Sequence, residues 1–175
     1  MEPGQLTITV AQISDAVLIT QLGITTFWET FADQNSKEDM DKYVADEMNI
    51  GKLTAEIADT GNTFLLAYYN DTPIGYAKLR SGKIPEQLSD RNPMELERLY
   101  VLAEYHNRKV GATLMEYCIT LARNCGHDVL WLGVWEHNYR ALQFYERWGF
   151  SIFDSHIFTL GTDDQTDVLM MKELN

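Results

Sequence analysis

The run Val129–Leu130–Trp131–Leu132–Gly133–Val134–Trp135 is almost continuously apolar, the pattern of a strand buried on both faces. Such a strand needs cover on each side, which points to a sheet with helices on its faces. The neighbouring segments supply them. Val110 to Cys125 places Val110, Leu114, Tyr117, Cys118, Leu121 and Cys125 along one side of a helix that Gly126 closes. Downstream, Asn138 caps a shorter helix with Leu142, Phe144, Tyr145 and Trp148 as its apolar residues, and Gly149 ends it.

The remainder reads outward from that centre. Leu6 to Val10 alternates as a strand, and Ser14–Asp15 starts a helix whose stripe is Val17, Leu18, Leu22, Phe27 and Phe31. After the polar break 33–39, Ser36 caps a second helix with Met40, Tyr43, Val44 and Met48 on its apolar face. A third helix runs from Ile50 to Ala58 and ends at Gly61–Asn62. Thr63–Tyr69 and Thr72–Leu79 form a hairpin about Asn70–Asp71, and Ser81 to Pro93 is a loop. Met94 to Leu102 is a strand with Glu95, Glu97, Leu99 and Val101 on one face. Two last strands, near Phe150–Leu160 and Asp167–Glu173, flank the polar turn 161–166. The expected class is therefore α/β (α+β), a mixed central β-sheet of about seven strands with helices on both faces, in a single domain spanning 1–175.

Charge and cysteine usage narrow the partners. With 26 acids against 14 bases the formal charge is −12, which argues against nucleic acid and anionic membrane as partners. It suits a cationic partner, and equally it suits ordinary solubility. The N-terminus lacks a basic region followed by an apolar one, and no run of about 18 apolar residues suggests a membrane span, so the expected location is cytoplasmic. Cys118 and Cys125 lie seven apart on one helix, about 10 Å along its axis, too far for a disulfide; both read as small core-facing residues. The four histidines are scattered with no HExxH or CxxC-type pair, so no metal is expected.

Two segments resemble a known family. Leu99–Tyr100–Val101 followed by Tyr105–His106–Asn107–Arg108–Lys109–Val110–Gly111–Ala112–Thr113–Leu114 resembles the strand–loop–helix of GNAT acetyltransferases. Asn138 to Phe150 resembles their NxxAxxFYxxxGF segment. The resemblance implies the GNAT fold, acetyl-CoA as cosubstrate, and N-acetylation by direct attack of a primary amine on the thioester. It also implies a cofactor site at Leu99, Tyr100, Val101, His106, Asn107, Arg108, Lys109, Val110, Gly111, Ala112, Asn138 and Tyr145. A loop entering a helix N-terminus offers free N–H groups and a positive dipole end to a pyrophosphate. The family loop usually reads Gln/Arg-x-x-Gly-x-Gly/Ala; here His106 and Lys109 replace its first and fourth residues, while Gly111 is kept. A side chain at 109 narrows the approach of backbone to phosphate, whereas Arg108 and Lys109 add charge opposite it. By the same resemblance the pantetheine arm pairs with the strand at Leu99–Val101, which splays from Leu130–Val134, and an N–H near Val101 polarises the thioester carbonyl.

Acetylating an amine needs a base to neutralise an ammonium of pKa about 10 and an acid for the leaving thiolate. Tyr145, at the family's FY tyrosine and near Asn138, is the candidate acid; a packed aromatic is its plainer role. Glu97 is the candidate base, with Glu95 two residues earlier, and an exposed charge or an ion-pair partner of Arg98 is the alternative. Some relatives carry a glutamate on the next strand, where this chain has Gly133. The segments Phe27–Asn35 with Met40 and Tyr43, Trp131–Glu136, and His156–Phe158 with Gly161 and Gln165–Asp167 resemble the PaiA-type polyamine acetyltransferases. That implies spermidine or spermine as acceptor, held by carboxylates such as Glu29 and Asp33, four apart on one helical face, among Glu38, Asp39 and Asp41. The alternatives are another amine (an amino acid, an aminoglycoside or a protein N-terminus) or a non-catalytic acyl-CoA-binding regulator. Strand edges together with Trp131, Trp135 and Trp148 fit either a homodimer interface or core.

Overall fold

The structure, a computed structural model, describes residues 4–175. Strand β1 (Leu6–Val10) leads into three helices, α1 (Ala16–Phe31), α2 (Lys37–Glu47) and α3 (Ile50–Ala58). Then come β2 (Asn62–Tyr69), β3 (Thr72–Arg80) and β4 (Pro93–Val101), followed by α4 (Val110–Asn124), β5 (Val129–Trp135) and α5 (Tyr139–Arg147). A long hairpin of β6 (Ser151–Leu160) and β7 (Asp163–Glu173) completes the chain. The seven strands form one sheet in the order β1-β2-β3-β4-β5-β7-β6.

Local chemistry explains most of these boundaries. Ser36, Asn49 and Asn138 each accept a first-turn N–H, from Asp39, Lys52 and Ala141 respectively, and so start α2, α3 and α5. Asn70 and Asp71 both take positive φ, +48° and +65°, the geometry of a tight hairpin turn between β2 and β3. The two sheet faces carry separate cores. Leu114, Cys118 and Ile119 of α4 pack on Leu130, Leu132 and Met170, while Ile19, Leu22 and Leu53 cover Phe64, Leu66 and Tyr76 on the opposite face. Strand β5 alternates as expected, with Leu130 and Leu132 in the first core and Val129 and Trp131 in a third cluster with Leu88 and Leu169.

Several expectations are corrected. Between Lys78 and Leu79 the β3–β4 register shifts from Arg98 to Leu96, leaving Glu97 as the extra residue of a bulge. The alternation reverses there. Met94 and Leu96 before the bulge and Leu99 and Val101 after it all join the α4-side core, while Tyr100 packs with the α1–α3 side. Glu95, Glu97, Leu99 and Val101 therefore do not share a face. Helix α1 stops at Phe31, so Asp33 falls in a separate 3-10 turn and is not on a helical face with Glu29. Gly61 does not end α3; Asp59 does, accepting the Gly61 N–H at 2.8 Å through its side chain. On α4, Met115, Ile119 and Ala122 are buried, whereas Tyr117 and Cys125 are exposed and only Cys118 is a core cysteine.

The β6–β7 turn is shorter than expected, because β7 begins at Asp163. It is tied to α2: Thr162 donates its N–H and its hydroxyl to Asp39 Oδ1, at 2.7 and 2.8 Å. Those bonds, the backbone one foremost, hold the Asp39 carboxyl below the usual carboxylate range. Gly161, at φ +64°, has no room for a side chain, since a Cβ would lie 2.4 Å from Asp39 Oδ1. This tie fixes α2 against the long hairpin. Among the described residues no helix is long and apolar enough to cross a membrane.

Candidate active site

Strands β4 and β5 pair in parallel only over Pro93–Glu95 and Val129–Trp131, then separate. The gap opens a cavity of about 840 Å³ that runs from the N-terminus of α4 through the sheet to α1, α2 and the β6–β7 hairpin. Every residue expected at the cofactor site lines it except Arg108.

At the α4 end, Asn107 and Lys109 adopt left-handed backbone, φ +69° and +62°, which turns the chain sharply into the helix. No side chain caps α4, in contrast to α2, α3 and α5. The first intrahelical bond runs from Thr113 N–H to Lys109 O, so the N–H groups of Val110, Gly111 and Ala112 stay available at the cavity wall. A Cβ at Gly111 would meet only Phe144, at an ordinary 3.7 Å, so protein packing does not demand glycine there. The open backbone suits close approach by an anion such as a pyrophosphate. Arg108 instead lies over the rings of Tyr69 and Tyr105, 5.4 and 5.5 Å from their centroids.

On β4, the Leu102 N–H donates to Ile74 O on β3 at 2.9 Å. Alternation then turns the Leu99 and Val101 N–H groups away from β3, toward the gap. The carbonyl of Val101 is held by His106 Nε2 at 2.8 Å, and His106 Nδ1 faces the Arg140 guanidinium. Because a carbonyl only accepts and a guanidinium only donates, these partners assign the neutral Nε2–H tautomer to His106. Arg140, not anticipated from the sequence, thereby braces the loop.

Tyr145 lines the cavity, buried against Phe144 and Phe150 with ring centroids 5.5 and 5.7 Å away. Burial, then the neighbouring Tyr100 and Cys118, push its pKa well above that of an ordinary phenol, so the hydroxyl keeps its proton. Asn138 Oδ1 caps α5 through Ala141 N–H at 3.2 Å and so fixes the start of the helix that carries Tyr145.

Glu97 belongs to a buried ionic cluster. Its carboxylate lies 2.5 Å from Lys78 Nζ and 3.7 and 4.0 Å from Arg80 and Arg98. Burial alone would raise its pKa, but Arg98 and Lys78 outweigh that and lower it. A carboxylate so stabilised is a weak base, which removes the reason for assigning Glu97 that role; it is an ion-pair partner. Glu95 is buried and held by Arg80 at 2.7 Å.

Beyond the gap the cavity is aromatic. Phe27 and Tyr43 stack at 4.4 Å, Tyr43 meets Phe158 at 5.8 Å, and Phe31 meets Trp135 at 6.2 Å. Glu29 lines this end, with its carboxylate accepting the Ala103 N–H at 2.9 Å. Asp33 is exposed and stands outside the cavity, so Glu29 and Asp33 are not brought together on it. Three polar residues that the sequence reading did not assign to the site, His156, Gln165 and Asp167, project from the β6–β7 arms into the same space. Their cue in the sequence was only the family-like tail; the strand register that unites them is a long-range property.

An open helix N-terminus, a split parallel pair and a cavity joining the two sheet faces define an acyl-CoA-dependent transferase. The chain belongs to the GNAT acetyltransferase family, whose model, described as the acetyltransferase (GNAT) family, matches residues 24–150. It is 38% identical over 167 residues to an uncharacterized N-acetyltransferase of Lactobacillus delbrueckii subsp. lactis, covering 94% of this chain and 96% of that one. It is 27% identical to the spermidine N(1)-acetyltransferase of Thermoplasma acidophilum over 82% of each chain. The crystal structure of PaiA N-acetyltransferase from Thermoplasma acidophilum in complex with coenzyme A superposes with a TM-score of 0.81, at 25% identity, covering 97% of this chain and 99% of the other. The protein is an acetyl-CoA-dependent N-acetyltransferase with the mixed seven-stranded GNAT fold.

Proposed function

We propose that this enzyme acetylates a primary amine of a polyamine such as spermidine or spermine. The observation that carries the reading is the composition of the far half of the cavity. Aromatic rings from α1, α2, β5 and β6 surround a space that also receives Glu29 and Asp167, while the nearby Arg98 is neutralised by Glu56 at 3.0 Å. Aromatic faces and carboxylates together attract alkylammonium groups. The similarity to a spermidine acetyltransferase supports the same class.

Acetyl-CoA supplies the activated acetyl thioester. The N–H groups at the α4 N-terminus hold its phosphates, and the gap-facing N–H of Val101 stabilises negative charge on the carbonyl oxygen. Tyr145 keeps its hydroxyl proton until it donates to the leaving sulfur. A smaller primary amine is the second reading, and one observation favours it: Asp39 is engaged by Thr162 and Asp41 by Lys37, which leaves few free carboxylates along an extended polycation. Thiol release from acetyl-CoA, measured against spermidine, spermine, putrescine, butylamine, amino acids, an aminoglycoside and an N-terminal peptide, separates the two. Saturable turnover with spermidine or spermine at a kcat/KM at least about tenfold above butylamine supports the polyamine. Equal or better turnover of butylamine, or of any other class on the panel, overturns it.

A further inference from the structure

We propose that Asp167, backed by His156, is the carboxylate that seats the acceptor's ammonium group and takes its proton. This rests on reading the far half of the cavity as an amine chamber, though not on the amine being a polyamine. The hairpin register sets His156 directly opposite Asp167, and β7 pairs Asp167 with Trp135 at the end of β5. Both side chains line the cavity, with His156 Nε2 3.8 Å from Asp167 Oδ2. The carboxylate is the inner member, 15% exposed against 41% for the imidazole, so the pair leads from the cavity to solvent.

Strand β5 makes room for this carboxylate. A Cβ at Gly133 would lie 3.5 Å from Asp167 Oδ2 and 3.7 Å from His156 Cε1, so any longer side chain there would occupy the space in front of the pair. The other carboxylates of the cavity are committed elsewhere: Glu95 to Arg80, Glu97 to Lys78, and Glu29 to the Ala103 N–H. Among the described residues, Asp167 is the cavity carboxylate held by neither a lysine, an arginine nor a backbone N–H.

The charged and titratable groups facing Asp167 are few. His156 comes from β6 and Tyr100 from β4, and β5 presents Gly133; Tyr43 of α2 and Glu29 of α1 line the same cavity. Burial raises the Asp167 pKa and His156 partly lowers it, which leaves a stronger base than an exposed carboxylate. One N–H proton of the bound ammonium passes to an Asp167 oxygen. The nitrogen lone pair it leaves behind forms the new N–C bond, the C–S bond of the thioester breaks as Tyr145 gives its proton to sulfur, and the second proton shed by the acylated nitrogen restores the Tyr145 hydroxyl. Asp167 then releases that first proton to solvent on the side of His156, which acts only through Asp167 and is a positioning residue.

The test compares pH profiles of kcat/KM for the best amine of the panel. Asp167→Asn is expected to lose about 50-fold at pH 7 and to recover to within about fivefold near pH 9.5, where the amine deprotonates unaided. His156→Gln should lose only about fivefold and move the acid limb to higher pH, because Asp167 then lacks the neighbouring imidazole that lowers its pKa. Adding Gly133→Asp to Asp167→Asn returns a carboxylate to the same space from β5 and should regain about tenfold. A loss under threefold at pH 7, or a loss independent of pH, overturns the proposal. If Asp167→Asn fails to fold, the wild-type His156 Cε1–H resonance decides: saturating spermidine or butylamine should shift it, and no shift with either overturns the proposal. Turnover of a different amine with the same dependence on Asp167 would sink the polyamine reading and leave this one standing.

Discussion

Tyr145→Phe is expected to lower kcat by about 10²–10³-fold while the affinity for CoA changes by less than about threefold. The ring is retained, so its packing against Phe144 and Phe150 survives, and only the hydroxyl is lost. That hydroxyl stays protonated because burial raises its pKa, so it is a donor across the working pH range. Steady-state thiol release paired with calorimetric titration of CoA separates chemistry from binding. A kcat within threefold of wild type would make Tyr145 a packed aromatic and leave protonation of the thiolate to water.

Glu56→Ala should cost about 3–5 kcal/mol of folding stability, the usual penalty for leaving buried charge unpaired. Glu56 reaches from α3 to Arg98 and Lys78, both at 3.0 Å, and both cations are almost wholly buried. Without it, Glu97 remains as the sole carboxylate for two cations inside the sheet face. Glu56→Gln keeps an acceptor and should cost less. Urea unfolding followed by tryptophan fluorescence measures both. A loss under 1 kcal/mol for the alanine variant would mean that water reaches Lys78 and Arg98, and that the cluster does little to hold α3 on the sheet.

Glu97 marks where reading the sequence stopped short. Alternation alone sets it beside Glu95, Leu99 and Val101, because nothing in Leu96–Glu97–Arg98 announces an extra residue in the strand. The bulge is decided by pairing with Lys78 on β3, and it turns Glu97 into a cluster of cations. Local signals fared better. The caps at Ser36 and Asn138, the Asn70–Asp71 turn and the all-apolar β5 each arise from interactions within a few residues, so the element order and the sheet were legible. The α4 loop was legible for the same reason. Asp33 was misplaced because α1 ends two residues before it, and Asp167 was overlooked because its value depends on partners at Gly133 and His156, set by strand register.

The central claim is that one cavity carries both substrates, with CoA at the α4 N-terminus and the amine beyond the β4–β5 gap, aligned for direct attack. A conjugate in which spermidine is joined through an acetyl bridge to the sulfur of CoA spans both halves. Calorimetric titration should give a Kd at least about 100-fold below that of CoA alone, because each end prepays the ordering of the other. A Kd within threefold of that of CoA would contradict the account, since the amine would then find no seat across the gap.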